Sequence, residues 1–513
     1  MFNEVKLSLS DILGEEYIEK VASVNAFFGC TEKEEIIRLA NEKVDFYSQK
    51  IQEKNDELLK SVGKQVTDKY ENNNDGAPTD SFKKAMSKQT APISGYLNYR
   101  VGEDGKLYLI GKSEHYHASL GHRFNGYKLI DNARKIGILN ATHNNTRGYV
   151  TRLHEIRLVQ SANGVEWEDD KATAELLDTK DEKVLNRVIN LETGSLAVEA
   201  GIKMMLARFY KLDNSRPEPV YSGKIPVFFV MGDLNGGLEA NYHGTTVLAQ
   251  TLRGMWPDFY DKETDSEIYK VVPVKINDIV DFRAKLEEYN EGKYKTAGFL
   301  HEIVLMNYGG IKLDEAYLKE AYKLCDEYDT PKLCDEIQSC MWYKGMFLYR
   351  LYGLKPDFVI IGKGFPGGEY PASRIITNAR MDSLNQFGAL VTNGQEELAS
   401  LAYLITMSFS RANGDEIERI GQLWNNEMKK LHADFPDKIL AAQGLGHLAS
   451  LHFVSADKAA EFASRMKEKC IDTSAQLYKK NCFPAVLLKP SLITTEKTVM
   501  YIVGTIRDIL NEK

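Results

Sequence analysis

Cysteine is scarce in this 513-residue chain, with six residues, Cys30, Cys325, Cys334, Cys340, Cys470 and Cys482, and no C-x-x-C pair among them. That spacing excludes a zinc ribbon or a dithiol redox centre and leaves reduced thiols. Cys325 and Cys334 lie in apolar contexts and read as small core residues. No run is apolar enough to span a bilayer, and the opening MFNEVKLSLSDILGEEYIEK lacks the basic region and apolar core of a secretory signal. A cytoplasmic protein is expected. Positive charge is not in excess either. With 65 Lys+Arg against 73 Asp+Glu, the net charge of -8 gives no overall pull toward nucleic acid or an anionic membrane. Internal repeats and low-complexity tracts are also lacking, and no metal is expected. What remains is chemistry on small molecules.

The hydrophobic fraction of 43% and charged fraction of 27% are those of an ordinary globular enzyme, and the length calls for two or three packed units. The first 90 or so residues read as helical, with Ile36, Ile37, Leu39, Val44 and Phe46 among dense charges; the turn formers of ENNNDGAPTD, 71–80, interrupt them. From Gly194 onward short apolar runs alternate with amphipathic helices, which predicts a parallel sheet with crossover helices. The clearest strands are 226–230, 298–305, 332–337 and 358–361. Between the second and third, Leu318, Ala321, Tyr322 and Cys325 recur at helical spacing and complete a β-α-β unit. A helix from about Glu396 to Phe409 leads into a smaller C-terminal unit. There LASLHFV reads as a strand, while DKAAEFASRMKEK and TEKTVMYIVGTIRDILNEK read as helices.

Three charged residues fall at or just beyond strand carboxyl ends: Glu302, Asp335 and Lys363. Ligands of open α/β sheets bind beyond those ends, so the three converge on one crevice. Each alone reads more simply as a solvated loop residue or a turn. A lysine desolvated in such a crevice loses its proton more readily than one in water, and so suits a covalent link to a carbonyl. The Gly-Ser turn in ETGSLAVEAGIKMMLARFY opens a long helix, whose free amides suit an anion; a plain helix cap is the simpler account of Gly194 and Ser195.

The segments DEIQ (335–338), PDFVIIGKG (356–364), TGSLAVEAGIK (193–203) and YHGTT (242–246) stand in an order that resembles the class III aminotransferases. The resemblance runs from about Asp104 to the end of the chain. It implies fold type I: an α/β chain whose large domain holds a mostly parallel seven-stranded sheet, followed by a smaller C-terminal α+β domain. The expected divisions are a helical N-terminal extension (1–95), a segment packing on the small domain (96–150), the large domain (151–410) and the small domain (411–513). The resemblance further implies pyridoxal 5′-phosphate held on Lys363 as a Schiff base. Asp335 then faces the pyridine nitrogen, Gln338 the phenolic oxygen, and Tyr242 the ring plane, with His243 and Glu302 beside it. Gly194 and Ser195 hold the phosphate, and Thr392 reaches it from the neighbouring subunit, so a homodimer with active sites at the interface is expected. The reaction implied is transfer of an amino group from an amino acid or amine to a keto acid or aldehyde.

The substrate positions depart from the family pattern. Thr245 and Leu487 stand where arginines usually grip carboxylates, and a hydroxyl or isobutyl group cannot replace a bidentate grip. HEIVLMNYGG lacks the proline usual after the glutamate, and DEIQ is followed by the bulky SCMWYKG. These changes predict a more apolar pocket, with Trp342 in it and Arg147 or Arg253 as replacement cations. They also keep a racemase, aminomutase or decarboxylase of the same fold in view. A retired relative that binds a partner through its N-terminal helices is the third reading, and the intact Lys363, Asp335 and Gln338 count against it.

Overall fold

The computed structural model describes residues 1–112, 117–477, 479 and 481–512. Helices α1 (Glu15–Phe27), α2 (Lys33–Ala40) and α3 (Gln49–Leu58) open the chain. Their apolar residues Ile18 and Ile36, with Phe2, Phe46 and Tyr47, join the largest hydrophobic cluster of the molecule instead of forming one of their own. The Phe2 ring lies 5.5 Å from Tyr47 and 5.9 Å from Phe409, and the Tyr47 hydroxyl donates to the Ile493 carbonyl at 3.0 Å. The helical expectation for the first 90 residues therefore holds only to about residue 61. The turn-rich composition leaves 71–79 without regular structure, and two short helical pieces, Asp80–Ala85 and the 3-10 turn Lys88–Thr90, precede strand β1 (Pro92–Tyr96).

Strands β1, β2 (Tyr99–Gly102) and β3 (Leu107–Ile110) form an antiparallel sheet. Helix α4 (Tyr149–Asn163) leads into the central sheet, built from β4 (Leu185–Leu191), β5 (Ile225–Met231), β6 (Lys270–Val274), β7 (Tyr294–His301), β8 (Lys332–Asp335), β9 (Phe358–Ile361) and β10 (Ser373–Asn378). Their spatial order is β4-β10-β9-β8-β7-β5-β6. Every pairing is parallel except those of β10, which runs against both neighbours. The sheet thus has seven strands with one reversed, as the family resemblance implied.

The strands alternate between two cores, as period-2 geometry demands. Val227, Phe229 and Met231 of β5 face one cluster, Phe228 and Val230 the other. Helix α5 (Gly194–Leu206) covers one face with Ala197, Ile202, Met204 and Met205. On the opposite face lie α6 (Glu315–Glu327), presenting Leu318, Ala321, Tyr322 and Cys325, and α7 (Glu397–Ala412). Cys325 and Cys334 are fully buried apolar fillers, and burial pushes the Cys325 thiol well up, which suppresses its reactivity.

Beyond α7 come α8 (Gly414–Asp434), the antiparallel strands β11 (Ala441–Leu445) and β12 (Leu448–His452), α9 (Ala456–Glu468), the short strands β13 (Ile471–Asp472) and β14 (Ser474–Gln476), β15 (Ala485–Leu488) and α10 (Glu496–Asn511). Their core of Trp424, Leu451, Val486, Ile502 and Ile506 also contains Tyr99, Leu107 and Leu109. Strand β13 pairs in parallel with β3, placing Ile471 opposite Leu109. No helix among the described residues is long and apolar enough to cross a membrane.

Candidate active site

Neighbouring strands β7, β8 and β9 bring their carboxyl ends side by side, and the three charged residues follow from that alignment. The register sets Cys334 against His301 and Asp335 against Ile360. Glu302 therefore begins the turn after β7, Asp335 ends β8, and Lys363 follows β9 by two residues. A cavity of about 300 Å³ opens beyond them, a volume within the small-ligand range. Asp335, Gln338, Lys363, Gly194, Ser195, Tyr242 and His243 all line it. Glu302 lies behind this wall, fully buried, with Oε2 accepting from Gln338 Nε2 at 3.5 Å.

Lys363 adopts a left-handed backbone, φ +51°, which costs a non-glycine residue energy and which surrounding structure must enforce. Its amine is pushed below the ordinary lysine range by burial, with Glu302 and Asp335 pulling back toward the charged form. Burial and then the Asp335 charge push the Glu302 carboxyl up. Asp335 is held at both oxygens: Oδ1 accepts from the Ile337 amide at 3.1 Å, and Oδ2 accepts from His243 Nδ1 at 2.9 Å. The imidazole thus fixes the carboxylate's direction, while the YHG turn that carries it also delivers Tyr242 to the cavity.

That turn is pressed against the start of α5. Gly244 has φ +133°, and a Cβ there would stand 2.8 Å from Ser195 Cα. The Thr245 amide donates to Ser195 Oγ at 3.1 Å, and Thr193 caps the helix by accepting from the Ser195 amide at 3.2 Å. The helix start therefore presents Gly194 and the Ser195 hydroxyl to the cavity, with one of its free amides already satisfied by the cap.

The remaining expected residues lie elsewhere. Arg147 pairs with Glu155 at 2.9 Å and Trp342 donates from Nε1 to the Pro490 carbonyl at 3.2 Å; neither lines the cavity. Trp342 is packed in the core with Cys340 and Met341, so the bulky segment fills space behind the crevice. Thr392 is exposed on a turn before α7 and does not line this chain's own cavity. Arg253 stacks over the Tyr242 ring, its Cζ 5.0 Å from the centroid.

Sequence reasoning missed three cations. Fully buried Lys489 donates to the Gln338 carbonyl at 2.6 Å and lies 3.6 Å from the Trp342 ring centre; burial and then Lys363 hold it well below the usual lysine range. Its position two residues past Leu487 was the only hint. Buried Arg374 donates to the Leu191 carbonyl at 3.2 Å, just before the α5 cap. Lys479, also buried, donates to the Asn307 carbonyl. No periodicity marks the last two. His117, Tyr370, Pro371 and Ala372 also line the cavity. Among the described residues no cluster of His, Cys, Asp or Glu is arranged to hold a metal.

The cavity fits pyridoxal phosphate by its own chemistry. Gln338 Oε1 is buried without a partner at the cavity wall. Rotating that amide by a half turn, an assignment coordinates do not distinguish, puts the Nε2 donor at the cavity wall and turns Oε1 toward Glu302, whose carboxyl, raised by burial to about 8, then donates the proton of that contact. Lys363, Asp335 and the α5 start offer the same cavity an amine, a carboxylate and amide donors, the groups that a carbonyl, a protonated ring nitrogen and a phosphate would call for.

Residues 119–510 match the family model described as aminotransferase class-III. A putrescine aminotransferase of Pectobacterium atrosepticum is 25% identical over 245 residues, 47% of this chain and 52% of the relative. An ornithine aminotransferase of Emericella nidulans is 29% identical over 202 residues, 37% and 40% of the two. The chain thus spans about half or less of the length of these relatives. A transaminase structure from the marine bacterium Virgibacillus superposes with a TM-score of 0.65 at 16% identity, covering 85% of this chain and 96% of that one. The adenosylmethionine-8-amino-7-oxononanoate aminotransferase of Methanocaldococcus jannaschii gives 0.64 at 20%, covering 85% and 96%. At these identities the structural likeness speaks for the fold.

Proposed function

Since the chain belongs to the class III aminotransferase family, we propose that it moves an amino group from an amino acid or amine to a keto acid or aldehyde, using pyridoxal phosphate held by Lys363. The observation that carries this reading is that Lys363, Asp335, Gln338 and the start of α5 line one cavity of about 300 Å³. When bound, the cofactor supplies an electron sink beside the amino-bearing carbon of the substrate. The residues do the rest. Asp335, oriented by His243, holds a proton on the ring nitrogen. Tyr242 fixes the ring plane by apolar contact, and Gln338 donates to the phenolic oxygen. Gly194 and Ser195 bind the phosphate at the helix start. Lys363 Nζ, its proton affinity lowered by burial, would hold the cofactor's carbonyl carbon and, once free, would serve as the base that takes a proton from the substrate carbon.

The reading carries two further parts. Thr392, exposed and outside this chain's own cavity, serves the site of a second copy in a homodimer. A cytoplasmic location accords with six free cysteines, five of them buried. The test is a donor screen that follows conversion of bound cofactor to its pyridoxamine form. Conversion without added acceptor establishes the transamination half-reaction, and Lys363→Ala loses it. Turnover of Lys363→Ala at the parent rate would refute the assignment.

A further inference from the structure

Lys489 follows β15 directly and sends its side chain into the interior, where it is fully buried. Its Nζ donates to the Gln338 carbonyl at 2.6 Å and lies 3.6 Å from the centre of the Trp342 ring. Trp342 Nε1 in turn donates to the carbonyl of Pro490, the next residue along, at 3.2 Å. Segments 338–342 and 489–490 are therefore bonded in both directions, and Gln338 lines the cofactor cavity beside Asp335 and Lys363. The first of these segments needs such a restraint. Met341 and Met346 both hold left-handed backbones, φ +67° and +72°, a conformation that persists in a side-chain-bearing residue only where its surroundings enforce it.

The segment carrying Lys489 is itself fixed from three sides. Its own amide donates to the Gly111 carbonyl at 2.9 Å. The Leu492 amide donates to the Ser119 carbonyl at 2.8 Å, and Ser119 Oγ donates to the carbonyl of Gly364, the residue after Lys363, at 2.5 Å. Tyr47, which precedes the matched family region, accepts from Asn55 Nδ2 at 3.0 Å and donates to the Ile493 carbonyl at 3.0 Å. A methionine at 489 would fill the same volume without burying an amine. What the amine adds is its hold on Gln338.

We propose that Lys489 is a positioning residue for the cofactor: its amine, lodged between the Gln338 carbonyl and the Trp342 ring, holds Gln338 so that its side-chain amide meets the phenolic oxygen. The inference rests on the pyridoxal phosphate reading and adds to it a residue outside the cavity lining that acts through Gln338. The titratable groups around Gln338 and Lys489 are Glu302, Asp335, His243, Lys363 and Cys340, and the variants below leave all of them in place.

A donor to the phenolic oxygen favours its anion, so the pH at which the bound cofactor's absorbance changes reads that contact. Lys489→Met moves this midpoint up by about one pH unit, the worth of one hydrogen bond. Gln338→Leu moves it directly, and the double variant moves it no further than Gln338→Leu alone. Lys489→Arg, which keeps a donor, recovers part of the shift. If the methionine variant does not fold, Lys489→Gln, whose amide falls one bond short of the carbonyl, takes its place with the same expectation. An unchanged midpoint would overturn the proposal. So would additive shifts in the double variant, which would route the effect of Lys489 past Gln338. In the cofactor-free protein, hydrogen exchange across 338–343 is on the order of tenfold faster in Lys489→Met than in the parent, while the edge strand β6 exchanges as before. If the parent binds no cofactor, faster exchange there leaves the hold on Gln338 standing and the cofactor reading alone falls; unchanged exchange removes Lys489 from the role.

Discussion

Gly244→Ala is expected to separate the cofactor from its site while leaving most of the fold intact. The glycine has φ +133°, a region that costs an L-residue about 1–3 kcal/mol. A Cβ there would also stand 2.8 Å from Ser195 Cα, a backbone atom at the start of α5 that cannot rotate away. Overpacking of that kind costs about 1–3 kcal/mol. The turn can relieve both terms only by lifting off the helix, which carries Tyr242 and His243 with it and frees Asp335 from its 2.9 Å bond. If about 2 kcal/mol of the strain is relieved in this way and must be restored on binding, cofactor affinity falls roughly 30-fold. Equilibrium binding by fluorescence reads the change directly. Gly223→Ala is the control: φ +80°, with nothing within 4 Å, so it pays the backbone cost alone and leaves cofactor affinity as it was. A Gly244→Ala protein binding cofactor within threefold of the parent would refute the reasoning.

Two other perturbations follow from the buried carboxylates. Asp335→Asn removes the charge that holds the ring proton while keeping the shape, and kcat is expected to fall about 10²–10³-fold; a fall under tenfold in single-turnover measurements would remove Asp335 from that role. Glu336, just past Asp335, is fully buried and accepts from the Ser339 hydroxyl and the Tyr349 amide, both at 2.6 Å; burial raises its carboxyl from 4.5 to about 7. The folded protein therefore binds more protons than the unfolded chain between those values. Stability from this group is present below pH 4.5 and is lost as pH rises to about 7, on the order of 3 kcal/mol. Glu336→Gln abolishes that component, so urea midpoints at pH 5 and pH 8 should lie closer together than in the parent. Parallel shifts in the two proteins would count against it.

The parts of the fold that were legible are those where local pattern and tertiary role agree. The strands near 226–230 and 358–361 are apolar runs buried on both faces, and helix 315–327 carries its core residues at regular spacing. Three strands of the central sheet escaped notice for physical reasons. KVVPV has Pro273 inside it and lies at the sheet edge, where a missing amide costs little. SRIITN carries near its start a charged Arg374 that is buried among carbonyls, the Ser400 hydroxyl and the Tyr403 ring. Leu185–Leu191 carries Asn186, Arg187 and Asn190 among its apolar residues, so it never reads as a continuous run. The site was legible where strand ends carry it. Lys489, Lys479 and Arg374 became visible only once distant segments packed, because nothing in a sequence distinguishes a solvated lysine from a buried one.

The reversed strand β10 has a metric consequence. Arg374 stands opposite both Asn190 of β4 and Ile361 of β9, so the stretches leading to Ser195 and to Lys363 are separated by two strand spacings, roughly 10 Å. That interval is fixed by ladder hydrogen bonds and does not drift with loop length. The sheet therefore works as a calliper that sets the spacing between the stretch leading to an amine and the stretch leading to a helix tip.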